Sequence, residues 1–186
     1  MKKQNTALYI LRLALTLLAI TAIMAAALAW VNQITAPYIE QIQKEKLLAA
    51  IDTVLPERGE AKANIWVPDE NSIVENLYIY ELGYAVEVKP IGFDNTITMM
   101  VGIDQDFNVL GISIVSHTET AGLGAVAAAK NSAGEAFRGQ FVGMSGQLAV
   151  TKDGGEVDAL TGATITSRAI CAGINAALEC ARNCGY

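Results

Sequence analysis

The sequence predicts an α+β protein in which one N-terminal transmembrane helix precedes a small antiparallel-sheet domain with flanking helices. Three observations support this fold class: an uncharged apolar run at 13–31, four β-rich runs between 77 and 115, and a helical pattern at 165–183. Strands gathered together, with helices before and after them, are typical of α+β domains. We therefore expect a membrane anchor and one folded domain within the 186 residues.

The N-terminal apolar run is long enough to cross a bilayer, because 19 residues form a helix of about 28 Å. Lys2, Lys3 and Arg12 precede the run, and the first charge after it is Glu40. The positive-inside rule therefore predicts a cytoplasmic N-terminus and an extracytoplasmic domain. Small residues at 25–29 offer a signal-peptidase site as an alternative, but the run exceeds the roughly 7–15 residues of a signal core, which favours a retained anchor.

The rest of the chain is predicted to begin with an amphipathic helix. Apolar residues recur at helical spacing from Pro37, which suits a first helical turn, to Pro56. The predicted organisation is a cytoplasmic N-terminus at 1–12, the transmembrane helix at 13–31, a juxtamembrane amphipathic helix at 32–56 and the extracytoplasmic domain at 57–186.

Within that domain, polar residues at 57–76 predict a loop. Alternation and β-branched residues then predict strands at 77–82, 84–88, 96–103 and 109–115, and short connections indicate antiparallel pairing. A further strand at 147–150 and the start of a helix at 125–130 are considered. The last stretch, 165–183, is predicted to form an amphipathic helix, which Gly185 terminates.

Composition excludes several classes of function. Hydrophobic residues make up 52% of the chain and charged residues 17%, which excludes a disordered chain. The net charge is 13 − 19 = −6, and 10 − 19 = −9 outside the anchor, which argues against binding to nucleic acid. Cys171, Cys180 and Cys184 form no Cys-x-x-Cys pair and accompany a single histidine, so neither a zinc ribbon nor an iron–sulfur cluster is expected.

The segment DALTGATITS at 158–167 carries the clearest chemical signal. One interpretation is that Thr164, Thr166 or Ser167 caps the final helix by accepting backbone N–H bonds, and spacing alone favours it. A cap leaves unexplained why small residues precede Thr164 and expose its hydroxyl to a large neighbour. The other interpretation is a phosphate at the helix N-terminus, where free N–H groups and the macrodipole attract an anion.

Two motifs identify a family resemblance. DALTGAT at 158–164 resembles the Asp-x-x-Ser/Thr-Gly-Ala-Thr pattern of FMN-binding domains that carry flavin covalently. SHTETAGLG at 116–124 resembles their His-x-Glu-Thr-Pro-Gly-Leu-Gly loop. Together with the single apolar span, these motifs make the chain similar to the G subunits of Rnf ion-translocating ferredoxin:NAD oxidoreductases.

The resemblance implies one FMN per chain, joined through its phosphate to Thr164 by a separate flavin transferase that uses FAD. It also implies a membrane-anchored electron carrier that works with the other subunits of an ion-translocating complex. The chain shows no nucleophile–His–acid set that would make it self-modifying. The flavin-binding residues that we expect are Thr164, Asp158, Thr161, Gly162 and Ala163 in the first motif, and Glu119, Thr120, Leu123 and Gly124 in the second, with Leu123 packing on the ring.

Some positions depart from the family pattern, and the roles of two other residues can each be interpreted in two ways. Ala121 replaces the proline of the loop, and residues 92–95 stand where the family often has a Gly-Tyr-Gly-Gly turn. His117 either shuttles a proton or orients the loop, and Arg168 lies either near the phosphate or in solvent. Three other functions stay open: the C subunit of a sodium-pumping NADH:quinone oxidoreductase, a free-standing flavin carrier, and an anchored scaffold without cofactor.

Overall fold

The computed structural model describes residues 6–66 and 72–184. The chain divides between Glu45 and Lys46 into two compact units. The first unit consists of most of helix α1 (Thr6–Val54), and the second contains the end of α1 and the whole sheet domain.

Helix α1 is continuous through Pro37, where two separate helices were predicted. That prediction was wrong, because Pro37 removes one N–H donor from a helix that strong helix formers continue on both sides. Within the described part of the chain, α1 is the one helix that is long and apolar enough to cross a membrane. Its apolar side chains, such as Leu17, Ile23 and Trp30, are exposed, as an anchor requires.

The second unit contains a five-stranded antiparallel sheet whose strands follow one another in chain order. The strands are β1 (Ala61–Trp66), β2 (Val74–Tyr80), β3 (Gly83–Val88), β4 (Thr98–Asp104) and β5 (Val109–Ser116). The antiparallel sheet is confirmed, and β2 to β5 correspond to the predicted strands. Strand β1 lies where a loop was predicted. Its residues 61–65 are exposed at the sheet edge, and alanine, lysine and asparagine at 61–64 have low strand propensity, so local patterns contained little signal for a strand.

Different helices cover the two faces of the sheet. Helix α3 (Thr164–Cys184) packs its buried Ile170, Ile174 and Leu178 on one face, within the main core. The end of α1 packs Ile51 and Val54 on the other face. Side chains of the central strands β3 and β4 therefore alternate between two apolar layers, and these two strands are buried on both faces.

Two details show how closely these layers pack. A Cβ atom on Gly102 would lie 2.3 Å from the carbonyl oxygen of Val54, so the backbone of α1 can approach β4 only because residue 102 is glycine. On the opposite face, Cys171 of α3 is buried in the main core, and burial raises the pKa of its thiol to about 11. The thiol therefore stays protonated at neutral pH and acts as a packing residue.

The connections contain short elements that sequence patterns did not resolve. Residues Gly124–Ala128 form a 3₁₀ turn rather than the start of a longer helix, and helix α2 (Ser132–Gly139), which was not predicted, follows it. The strand considered at 147–150 does not form, because the Leu148 N–H donates to the side chain of Asn175 and Val150 makes a single bridge. The predicted final helix corresponds to α3, and its expected end at Gly185 lies outside the described residues.

Candidate functional site

A cleft of about 280 Å³ opens between the start of α3 and the loop that follows β5. It brings together the two sequence motifs, which are separated by about 40 residues along the chain. The residues that line it are Phe93, Glu119, Thr120, Leu123, Gly124, Lys152, Gly162, Ala163, Thr164, Ile165 and Thr166.

A tight turn immediately precedes the N-terminus of α3. The Ala163 N–H donates to the Leu160 carbonyl at 2.9 Å, and Gly162 adopts a φ of +75°, which glycine accommodates without strain. The Ser167 hydroxyl accepts from the Leu160 N–H and donates to the Ala163 carbonyl, both at 3.0 Å. Ser167 therefore fastens the turn to the first turn of the helix.

The hydroxyl groups of this segment do not cap α3 in the described hydrogen bonds. Ala163 stands immediately before the helix and has no side-chain acceptor. Thr166 donates its hydroxyl to Glu119, and Thr164 accepts from Lys152. The capping interpretation therefore finds no support here, and the first N–H groups of α3 have no partner within the helix.

Glu119 is a buried carboxylate that joins three segments. One carboxylate oxygen accepts from the Phe93 N–H at 2.8 Å and the Asp94 N–H at 3.3 Å. The other accepts from the Thr166 hydroxyl at 2.5 Å, and the side chain is 7% exposed. The residue predicted to contact a flavin therefore holds the walls of the cleft together. Sequence patterns missed this role because two of its three partners are backbone groups.

Two glycines make room for that carboxylate. A Cβ atom on Gly92 would lie 2.2 Å from one oxygen of Glu119. A Cβ on Gly124 would lie 2.3 Å from the other oxygen and 2.5 Å from the Thr166 hydroxyl. Gly124, expected as a cofactor contact, thus lines the cleft and also permits the Glu119–Thr166 bond.

Lys152 is the cation that lines the cleft, and its Nζ donates to the Thr164 hydroxyl at 3.2 Å. It lies in the 3₁₀ turn Thr151–Asp153, which Gly154 closes with a φ of +85°. Sequence patterns did not select this lysine, because 12 residues separate it from Thr164 and its role depends on the fold.

Arg168 binds the neighbouring acid, Asp153, through two nitrogens, each 2.6 Å from a carboxylate oxygen. Hydrogen bonding from Arg168 lowers the pKa of Asp153, and the same bond raises the pKa of Arg168. Arg168, for which a place near the phosphate was considered, is therefore paired with Asp153.

Exposed apolar side chains form the rest of the cleft. Phe93 is 66% exposed, Leu123 44% and Ile165 49%. Leu123 lies beside the turn, with its Cδ2 atom 3.0 Å from the position of a Cβ on Gly162. Large apolar side chains that face water around a concave site are typical of binding surfaces.

Three residues considered in the sequence lie outside the cleft lining. The Asp158 backbone N–H donates to the Gln140 side chain at 2.8 Å, and its carbonyl accepts from the same amide at 3.2 Å. Thr161 is exposed in the turn. Nδ1 of His117 is buried and finds no hydrogen-bond partner among the described residues.

Comparison with known proteins identifies the family. The model of the FMN-binding domain family matches residues 92–179, which contain every residue that lines the cleft. The chain is 31% identical to the G subunit of the ion-translocating oxidoreductase complex of Methanosarcina acetivorans, over 91% of this chain and 93% of the relative. It is also 31% identical to the G subunit of the Na⁺-translocating ferredoxin:NAD⁺ oxidoreductase complex of Acetobacterium woodii, over 94% of this chain and 92% of the relative.

The chain belongs to the family of G subunits of ion-translocating oxidoreductase complexes. The resemblance seen in the two motifs is confirmed, as is the expectation of an FMN-binding electron-carrier subunit of an Rnf-type complex. As a G subunit, the chain works with other subunits, and α1 fits the membrane anchor of such a protein.

The residues of the cleft fit FMN. Phe93, Leu123 and Ile165 provide exposed apolar walls for a flat ring system. Lys152 and the N-terminus of α3 provide positive charge for a phosphate. The cleft therefore provides apolar surface for the isoalloxazine ring of FMN and positive charge for its phosphate.

Proposed function

We propose that FMN is attached through its phosphate to the Thr164 hydroxyl and that the protein passes electrons through it on the extracytoplasmic side. The observation that carries the proposal is the position of this hydroxyl, which lies in the cleft at the start of α3 and accepts from Lys152. FMN supplies the redox chemistry, and the chain holds, orients and tunes the cofactor.

The phosphate position is supported by charge. A phosphodiester keeps one negative charge, which both Lys152 and the free N–H groups of α3 stabilise. Gly162 and Ala163 keep the approach to Thr164 free of large side chains. Asp158 and Thr161 lie farther out, and we assign Asp158 to the turn that precedes the site.

The ring position is supported by the apolar walls. Phe93, which replaces the second residue of the usual glycine-rich turn, lines the cleft together with Leu123 and Ile165. Glu119 and Gly124 fix the loop that carries Thr120 and Leu123. Because the cleft is open, a ring held here keeps an exposed edge, which favours electron transfer to other proteins.

Attachment requires an external flavin transferase. The described partner of the Thr164 hydroxyl is a lysine ammonium, which has no lone pair to accept the threonine proton. The carboxylate of Glu119 is occupied by three donors. With FAD as donor, the transferase breaks the pyrophosphate bond, forms the threonine ester and releases AMP, and the hydroxyl proton passes to the transferase or to solvent.

The orientation in the membrane is supported by the charges around the apolar segment. Lys2, Lys3 and Arg12 lie before it, and residues 13–39 carry no charge. We infer that residues 1–12 are cytoplasmic and that the domain that begins at 57 is extracytoplasmic.

The test is in-gel flavin fluorescence of the denatured full chain after co-expression with a flavin transferase. Thr164→Val removes the hydroxyl and keeps the shape, so its band is expected to be dark, while the native band fluoresces. Thr53→Val is the matched control, because that hydroxyl is exposed, outside the cleft and outside both motifs, and it is expected to fluoresce. Fluorescence that persists in Thr164→Val, or a dark native band beside a fluorescent control protein, would overturn the proposal.

A further inference from the structure

A second concave surface, which we call the basic groove, lies in the sheet domain outside the flavin cleft. It has a volume of about 400 Å³ between the end of α1, strand β5 and the segment that leads into α2. Its lining residues are Lys46, Ala49, Ala50, Thr53, Ile112, Ser113, Ile114, Val115, Ala128, Lys130 and Arg138.

The groove is positively charged in a protein that is acidic as a whole. Lys46, Lys130 and Arg138 line it, and no aspartate or glutamate is among the lining residues. The net charge of the whole chain is −6. None of the ion pairs between described residues involves these three cations. Among the described residues, no carboxylate lines the groove or pairs with its three cations, and this concentration of positive charge favours an anionic partner.

Arg138 is held in a geometry that leaves its carboxylate-binding edge available. Its Nη1 donates to the carbonyl oxygens of Ala127 and Ala129, at 2.5 and 3.0 Å. These bonds fix the guanidinium and leave Nε and Nη2 without a described protein acceptor. A guanidinium binds a carboxylate through two parallel N–H donors, and a fixed one loses less entropy when it does so.

The shape of the groove suits an extended peptide. Strand β5 is an edge of the sheet, and its residues 112–115 line the groove. Ile114 and Val115 are half-buried and provide apolar surface, and Ser113 and Thr53 provide hydroxyl groups. Edge strands are ready templates for an added strand, and side chains along the edge then select the sequence that binds.

We propose that the basic groove is the docking surface for an acidic, extended segment of another subunit of the complex. The carboxylates of that segment pair with Lys46, Lys130 and Arg138, and its backbone lies along β5. A subunit of a complex must contact other subunits through some part of its surface, and the relatives of this chain are subunits of such complexes. The inference does not depend on where FMN is attached, because the groove and the flavin cleft share no lining residue.

The first test reverses charge in the groove of the full-length chain, expressed with its complex and purified from detergent-solubilised membranes through a tag. Lys46→Glu with Lys130→Glu is expected to lower the ratio of co-purified subunits to tagged chain about tenfold. Lys44→Glu with Lys62→Glu makes the same charge change at exposed positions outside the groove and is expected to leave the ratio unchanged. The unfolding temperature of each variant shows that the domain is folded.

The second test identifies the occupant by placing a photo-reactive amino acid at position 130, with position 62 as control. A cross-link to an aspartate- or glutamate-rich segment of another subunit is expected. Lysines introduced into that segment are then expected to restore retention of the charge-reversed chain. An unchanged subunit ratio in folded Lys46→Glu/Lys130→Glu would overturn the proposal. So would cross-links to lipid alone, to a segment without carboxylates, or at the level of the control position.

Discussion

At the scale of single residues, Glu119 shows how one side chain builds a cofactor site without offering a free group to the cofactor. Its carboxylate accepts two backbone N–H groups and one hydroxyl, and these donors belong to separate segments of the chain. The charged acceptor compensates the cost of burying those donors. The conformation of the Phe93 turn and the start of α3 therefore depend on this carboxylate.

We expect Glu119→Ala to lower the free energy of unfolding by about 3 kcal/mol, because it leaves buried donors without an acceptor. Glu119→Gln is expected to cost only about 1 kcal/mol. Its amide oxygen can still accept from the Phe93 N–H, and its amide nitrogen can donate to the Thr166 hydroxyl, which is also an acceptor. Urea unfolding measures both changes. Glu156→Ala, at an exposed position, is the control, and equal losses for Ala and Gln at 119 would contradict this role.

Lys152 provides the second test at this scale. If its charge stabilises the phosphate at Thr164, Lys152→Met slows transferase-dependent flavin attachment roughly tenfold, the effect of losing about 1.4 kcal/mol of interaction. Lys152→Arg keeps the charge and is expected to stay within about threefold of the native rate. The rate is followed as fluorescence in the protein band over time.

The control for Lys152 is Lys62→Met, which removes the same charge from strand β1. Raising the salt concentration is expected to slow attachment to the native chain more than to Lys152→Met, because salt screens a charge contact that the variant lacks. A Lys152→Met chain that is labelled at the native rate would exclude the charge contact as a contribution to attachment.

At the scale of elements, the sequence predicted what side-chain periodicity encodes. Helix α3 has one buried face, so helical spacing revealed it, and strands β2 to β5 are rich in β-branched and apolar residues that the core requires. Strand β1 is exposed, α2 has only Gly134 and Phe137 buried, and Pro37 suggested a boundary in a helix that continues. These features depend on tertiary contacts or on helix propagation, which local patterns do not contain.

The candidate site also has parts that local sequence patterns revealed and parts that depend on the tertiary fold. Its two motifs were readable because the chemistry fixes their residues, and the cleft brings seven of the nine expected positions together. Lys152 and Phe93 could not be selected from the sequence, because each reaches the cleft from a different loop. The role of Glu119 depends on backbone N–H groups, which every residue except proline carries.

The loop that follows β5 gives a prediction at this scale. Gly124→Ala places a methyl group 2.3 Å from a Glu119 oxygen, so the loop must shift away from α3, at an expected cost of about 2 kcal/mol in unfolding free energy. Gly139→Ala is the matched control, because no atom lies within 4 Å of its Cβ and its φ is not positive. That control is expected to be neutral or to stabilise by up to about 1 kcal/mol. Thermal unfolding compares the two, and equal unfolding temperatures would contradict the close packing at Gly124.

At the scale of the whole molecule, the end of α1 belongs to the folded domain. Ala50, Ile51, Val54 and Leu55 are buried against the sheet face that includes Ala85 and Met100. Burying three large aliphatic side chains contributes about 6 kcal/mol at about 2 kcal/mol each. This is comparable to the whole stability of a small domain. The same helix therefore contains a segment suited to anchoring and a segment required for folding.

Two truncations test this division of α1. A chain of residues 46–186 keeps the buried residues of the helix and is expected to be soluble without detergent and to accept flavin from a co-expressed cytoplasmic transferase. A chain of residues 57–186 loses Ile51, Val54 and Leu55 and exposes the apolar face around Met100, so it is expected to aggregate or to bind hydrophobic dyes. The soluble fraction and the in-gel fluorescence distinguish the two chains. Equal solubility and equal unfolding temperatures would show that α1 contributes nothing to the domain. A 46–186 chain that needs detergent would show that the apolar surface responsible for anchoring extends beyond the first 45 residues.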